Sequence, residues 1–93
     1  MNIKVSDLWT RNYREGSWCA FLHDEFLKGG LGKHFDTIRF WMEEFKSGKT
    51  TTIIVDYEGM VADGNHRLVA AKLQGIAEIG FERPSDDYIY NTG

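Results

Sequence analysis

The stretch that decides the fold runs Asp63-Gly64-Asn65-His66-Arg67-Leu68-Val69-Ala70-Ala71-Lys72-Leu73-Gln74-Gly75. Leu68 to Gln74 is made of good helix formers and stops at Gly75, a residue suited to the left-handed turn that closes helices. Ahead of it, Met60-Val61-Ala62 reads as a short returning strand. A strand therefore ends in Asp63-Gly64 and feeds directly into a helix headed by Asn65-His66-Arg67. The first backbone N–H groups of a helix lack internal partners, and the helix dipole adds partial positive charge there. Gly64 has no Cβ and lets an anion approach the backbone closely. Arg67 adds a fork of donors matched to phosphate oxygens, and His66 a donor that protonation can switch. Gly64, Asn65, His66 and Arg67 together describe an anion site at a helix mouth. The same residues also describe a plain strand-to-helix turn, with Asp63 or Asn65 as N-cap and Arg67 solvated. Residue chemistry alone leaves both open.

Working outward, Thr50 to Asp56 is rich in β-branched residues and predicts a strand, followed by a turn at Tyr57-Glu58-Gly59. Ile76 to Glu82 alternates and predicts a closing strand, and Pro84-Ser85-Asp86-Asp87 breaks regular structure, leaving a loose tail to Gly93. Toward the N-terminus, apolar residues at one helical spacing (Phe35, Ile38, Trp41, Met42, Phe45) predict a helix from Phe35 to Lys46, ended by Ser47-Gly48. Trp18, Phe21, Leu22 and Phe26 predict an earlier helix, starting at Ser17 and stopping before Gly29-Gly30. Thr10 to Gly16 is polar and reads as a loop. Asn2 to Ser6 alternates as a short strand, and Ser6 or Asp7 could cap a helical turn carrying Leu8 and Trp9. The expectation is one α+β domain over residues 1–93: a small mixed sheet with packed helices, the Leu68 to Gln74 helix facing it through Leu68, Val69 and Leu73.

Composition narrows the function. The 93 residues carry 42% hydrophobic and 14% aromatic side chains, enough to fill a core without a metal or disulfide framework. The formal net charge of -3 argues against non-specific coating of DNA, which needs a basic stripe to displace counterions. A local positive pocket for one nucleotide remains compatible with it. Cys19 is the single cysteine and sits in an apolar run, so a buried inert thiol is expected. With no leader-like segment and no apolar run near membrane-spanning length, the reading is a soluble cytoplasmic protein that does not engage a membrane.

Other short motifs carry less. Ser47-Gly48-Lys49-Thr50 imitates the end of a P-loop, but it follows a helix and enters a strand, the reverse of the required order. Gly30-Leu31-Gly32 lacks the third glycine and the preceding strand of a dinucleotide fingerprint. His23, Asp24, Glu25 and His34 lack ligand spacing for zinc and read as surface residues of helices, so no metal ligand is assigned. The stripe of Phe35, Trp41 and Phe45 reads as core rather than as a base-stacking platform.

The Asp63 to Gly75 stretch resembles the Asp-Gly-x-His-Arg-(x)-x-x-Ala-x-x-x-Gly signature of ParB/sulfiredoxin-like proteins. Gly48-Lys49-Thr50-Thr51-Thr52-Ile53-Ile54-Val55 is similar to that family's Gly-x-x-x-Pro-Ile-x-Val strand, with Thr52 in the proline's place. The resemblance covers roughly the C-terminal half, plus a first strand at Ile3 to Leu8. It implies a ParB/sulfiredoxin-like fold and a nucleotide or other phosphate-bearing ligand, with magnesium as a candidate cofactor. Sulfiredoxins carry their catalytic cysteine where this chain has Asn65, and Cys19 belongs to a different element, so sulfinic-acid reduction is not implied. Partitioning ParB proteins continue into a Glu-Asn-Ile-Gln-Arg box and a helix-turn-helix domain, neither of which this sequence contains.

Three functional hypotheses from different classes are open. In a nucleotide-dependent phosphotransferase or nuclease, Asp63 would position the acceptor or a metal, and His66 would contact or protonate a phosphate oxygen. Arg67 would neutralise developing charge, and a carboxylate among Glu15, Asp24 and Glu25 would complete the site. The alternative is a non-catalytic binding module, acting as a regulator or inhibitor of a larger host protein, of the compact kind common in phages and mobile elements. A protein partner would then join the ligand. The third is purely structural, with the fold retained and a protein surface doing the work, and the tail at Tyr88-Ile89-Tyr90 beside Asp86 and Asp87 would then be a docking segment.

Overall fold

The computed structural model describes residues 1–85, which run through β1 (Asn2–Lys4), α1 (Val5–Asn12), α2 (Trp18–Leu27), α3 (Lys33–Lys46), β2 (Thr52–Val55), β3 (Val61–Asp63), α4 (Asn65–Gln74) and β4 (Glu78–Glu82). The architecture is α+β, as the periodicities predict. The four strands form one mixed sheet in the order β1-β4-β2-β3. β4 lies antiparallel to β1 and parallel to β2, and β2 pairs antiparallel with β3. The β2-to-β4 connection passes through β3 and α4, so the Asp63 to Gly75 stretch is the crossover that a parallel pair requires. Asp86 to Gly93, including the expected docking segment and most of the loose tail, lies outside the described residues.

α4 is the centre of the molecule. Leu68, Val69, Ala70 and Ala71 are four consecutive positions with no exposed surface, so partners cover more than one side of the helix. Ile53, Val55, Ile79 and Phe81 of the sheet share one core cluster with Leu68 and Val69, and Leu73 packs against it. The other three helices all contact α4. Removing a side chain such as Leu68 from water contributes about 1.5–3 kcal/mol. The helix ends where Gly75 adopts the left-handed conformation, and the Ile76 N–H donates to the Ala71 carbonyl at 2.9 Å. That capping bond takes up Ile76 and explains why β4 begins at Glu78 rather than at Ile76.

The N-terminal half departs from expectation in three places. α1 extends from Val5 to Asn12, through residues that read as loop. Asn12, buried at 3% exposure, is the reason. Its Nδ2 donates to the Leu8 carbonyl at 2.8 Å and to the Gly59 carbonyl at 3.2 Å, while its Oδ1 accepts from the Val61 N–H at 2.9 Å. A polar residue thus pins the last turn of α1 to the β2–β3 turn. Neither Ser6 nor Asp7 caps α1; the strand ends at Lys4, and the Val5 N–H donates to the Ala77 carbonyl at 2.9 Å.

α2 starts as predicted, with the Ser17 hydroxyl accepting from the Ala20 N–H at 3.0 Å, but its buried face is different. Cys19 and Leu22 are buried and Phe26 packs against the core, whereas Trp18 is 43% and Phe21 48% exposed. Burial pushes the Cys19 thiol up to about 12, consistent with the inert thiol expected. α3 begins two residues before Phe35, and its stripe of Phe35, Ile38, Trp41, Met42 and Phe45 lies in or against the core as predicted. Among the described residues, no helix is long and apolar enough to cross a membrane.

Candidate functional site

β3 delivers Asp63 to the sheet edge, opposite Ile54, with its side chain 60% exposed. Gly64 then turns the chain into α4 at φ 121° and ψ 21°, a conformation that L side chains rarely adopt. A second constraint acts on the same residue. A Cβ at Gly64 would stand 2.5 Å from Ile53 Cγ2 and 2.7 Å from Ile53 Cβ, below any real contact. The glycine is demanded by its close approach to a fully buried strand side chain, whether or not an anion also approaches there.

Among the described residues no side chain caps α4, and neither Asp63 nor Asn65 bonds back to its first turn. The capping alternative raised by the sequence is therefore not what the structure adopts. The Gly64 carbonyl accepts the first helical bond, from Leu68 at 2.8 Å, and the N–H groups of the first turn remain as donors. Asn65 and His66 are half-buried beside them.

Arg67 is not a solvated arm. Its Nη1 donates to the Thr52 carbonyl at 2.8 Å and to the Thr51 hydroxyl at 3.2 Å, and its guanidinium lies 5.6 Å from the Trp41 ring centroid. Nη2 reaches Asp63 Oδ1 at only 3.8 Å. One edge of the fork ties α4 to β2, leaving Nη2 the less engaged edge.

His66 reaches the other way. Its Nε2 lies 2.9 Å from Nδ1 of His34 in the first turn of α3. Trp18, at the start of α2, stands in T-shaped contact with both imidazoles, with centroids 5.0 Å from His34 and 6.1 Å from His66. Burial lowers the His66 pKa from the usual imidazole range; His34 and Arg67 lower it further, and Asp63 opposes them.

The structure thus brings Asp63, Gly64, Asn65, His66 and Arg67 to one helix mouth and adds Thr51, His34 and Trp18. His34 is an exposed residue of α3, as its sequence context predicts, but its contact with His66 joins residues 32 apart and no local pattern points to it. The three carboxylates that could complete a catalytic site are engaged elsewhere. Asp24 accepts from the Tyr13 hydroxyl at 2.8 Å and contacts His23 Nδ1 at 2.9 Å, and Glu25 faces Lys28 at 3.9 Å. Glu15, Asp24 and Glu25 line one shallow groove along α2, to which none of residues 63–67 contributes. Among the described residues, no group of three or more His, Cys, Asp or Glu side chains is placed to hold a metal ion.

No protein-family model matches the chain, and no curated protein or solved structure matches it either.

Proposed function

We propose that this chain is a ParB/sulfiredoxin-like domain that binds a phosphate group, free or on a nucleotide, at the N-terminus of α4, and that it acts by binding rather than by turnover. The observation that carries the reading is the first turn of α4 directly after Gly64, which no side chain among the described residues caps and where free N–H donors and the helix dipole favour an anion. His66 adds a donor beside that turn, and Nη2 of Arg67 is the guanidinium edge less committed to the protein. Binding is favoured over catalysis because phosphoryl transfer needs a positioned carboxylate or metal, and Glu15, Asp24 and Glu25 serve the α2 groove and its local partners. A binding module of this kind fits a regulator of a larger partner.

The test is a thermal-shift panel of inorganic phosphate, pyrophosphate and nucleotides, with and without magnesium, on the wild type and on Asn65→Asp. Ligand at a hundred times its dissociation constant should add about 2.7 kcal/mol of stability. A carboxylate at position 65 complements the dipole of α4, so it should leave the free protein as stable or raise it by about 0.3–1 kcal/mol. The same charge repels an anion, so the phosphate-induced shift should disappear. Melting curves that no phosphate-bearing ligand moves would end the reading.

A further inference from the structure

The contact between His34 and His66 has a geometry that depends on how many protons the pair holds. With Nδ1 of His34 and Nε2 of His66 at 2.9 Å, a centroid separation of 5.0 Å is close to the longest that contact allows. The rings therefore meet end to end, and at 17° between planes they are nearly coplanar rather than face to face. In that arrangement the N–H of one ring lies along the lone pair of the other, a true N–H···N hydrogen bond. A neutral pair has one proton to place in the bridge, and so does a pair carrying a single positive charge. A doubly protonated pair has two N–H groups facing each other and two like charges.

The surroundings act against that second proton. His66 sits in the first turn of α4, where the helix dipole presents its positive end, and it faces His34 in the first turn of α3. Arg67 on α4 and burial disfavour further positive charge at His66, with Asp63 of β3 opposing them. From α2 the facing group is Trp18, which carries no charge and lies in T-shaped contact with both imidazoles.

We infer that the His34–His66 pair is a proton-operated latch that joins the N-terminal turns of α3 and α4, closed while the pair carries at most one positive charge and opened by the second proton, which frees Trp18 from both rings. The latch rests on the His34–His66 geometry and not on the phosphate reading. A group whose folded pKa is lowered supports the folded arrangement above its unfolded pKa, about 6.5 for histidine, and loses that support as pH falls toward the folded value. Opening therefore belongs to mildly acidic conditions.

Nitrogen NMR of the labelled full chain reads the latch directly. At neutral pH a through-bond coupling between His34 Nδ1 and His66 Nε2 is expected, with cross-peaks from Trp18 to both imidazoles. On acidification both should vanish while the signals of Ile38 and Leu68 in the core persist. In His34→Gln the His66 titration midpoint should rise, since a charge competitor is gone. Absence of the coupling at neutral pH, an unmoved His66 midpoint in the variant, or loss of the core signals together with the latch would each overturn the proposal.

Discussion

Gly64→Ala probes the shortest contact that an added Cβ would make at any glycine among the described residues. Two separate effects oppose a methyl group there. The backbone at φ 121° and ψ 21° lies where a residue with a Cβ is strained by about 1–3 kcal/mol. The new carbon would also stand 2.5 Å from Ile53 Cγ2 and 2.7 Å from its Cβ. Ile53 has no exposed surface, and its Cβ is fixed to the β2 backbone, so neither atom can swing away as the end of a flexible side chain could. Overpacking of this kind costs about 1–3 kcal/mol. The sum, about 2–6 kcal/mol, is a large share of the roughly 5–14 kcal/mol that a chain of this length holds at about 0.05–0.15 kcal/mol per residue. Even the lower end should drop the melting temperature by about 8–16 °C, read by circular dichroism and matched by urea titration.

A double-mutant cycle with Ile53→Ala separates the two effects. Removing Cγ2 relieves part of the clash but leaves the backbone strain and the 2.7 Å contact, so the pair should be less destabilised than the two single variants summed. A Gly64→Ala protein within about 0.5 kcal/mol of wild type, or strict additivity in the cycle, would refute the packing argument.

Asn12→Ala should destabilise through the groups it abandons: the part-buried Val61 N–H and Gly59 carbonyl lose their side-chain partner, at about 1 kcal/mol each, the lower end of the cost of an unpaired buried group. Urea denaturation monitored by circular dichroism measures this, and a loss below about 0.5 kcal/mol would mean water or a shifted backbone takes the place of the amide. Cys19, its thiol pushed up to about 12 by burial, should react with a thiol reagent near pH 8 far more slowly than in the urea-unfolded chain. Equal rates in the two states would show that α2 does not bury it.

The elements that could be read from the amino-acid sequence were those governed by near neighbours along the chain. Ser17 as a cap, Gly75 as a stop, the β-branched run of β2 and the apolar stripe of α3 each rest on interactions within a turn or along one strand. The turn at Asp63-Gly64 belongs with them, because a strand that runs into a helix former across a glycine has few other ways to proceed. What tertiary structure alone decided was which side of an element its neighbours cover. Trp18 and Phe21 fit a helical stripe with Leu22 and Phe26, yet α2 turns Cys19 and Leu22 into the core and leaves the two rings half in solvent. Asn12 looked like a loop residue because its local chemistry is polar; it is buried because partners 47 and 49 residues away satisfy its amide. His34 and Arg67 follow the same rule, one finding His66 on another helix and the other finding β2. Periodicity says which residues share a face, but a hydrogen bond or a contact between distant segments exists only once the fold has brought both partners to the same place.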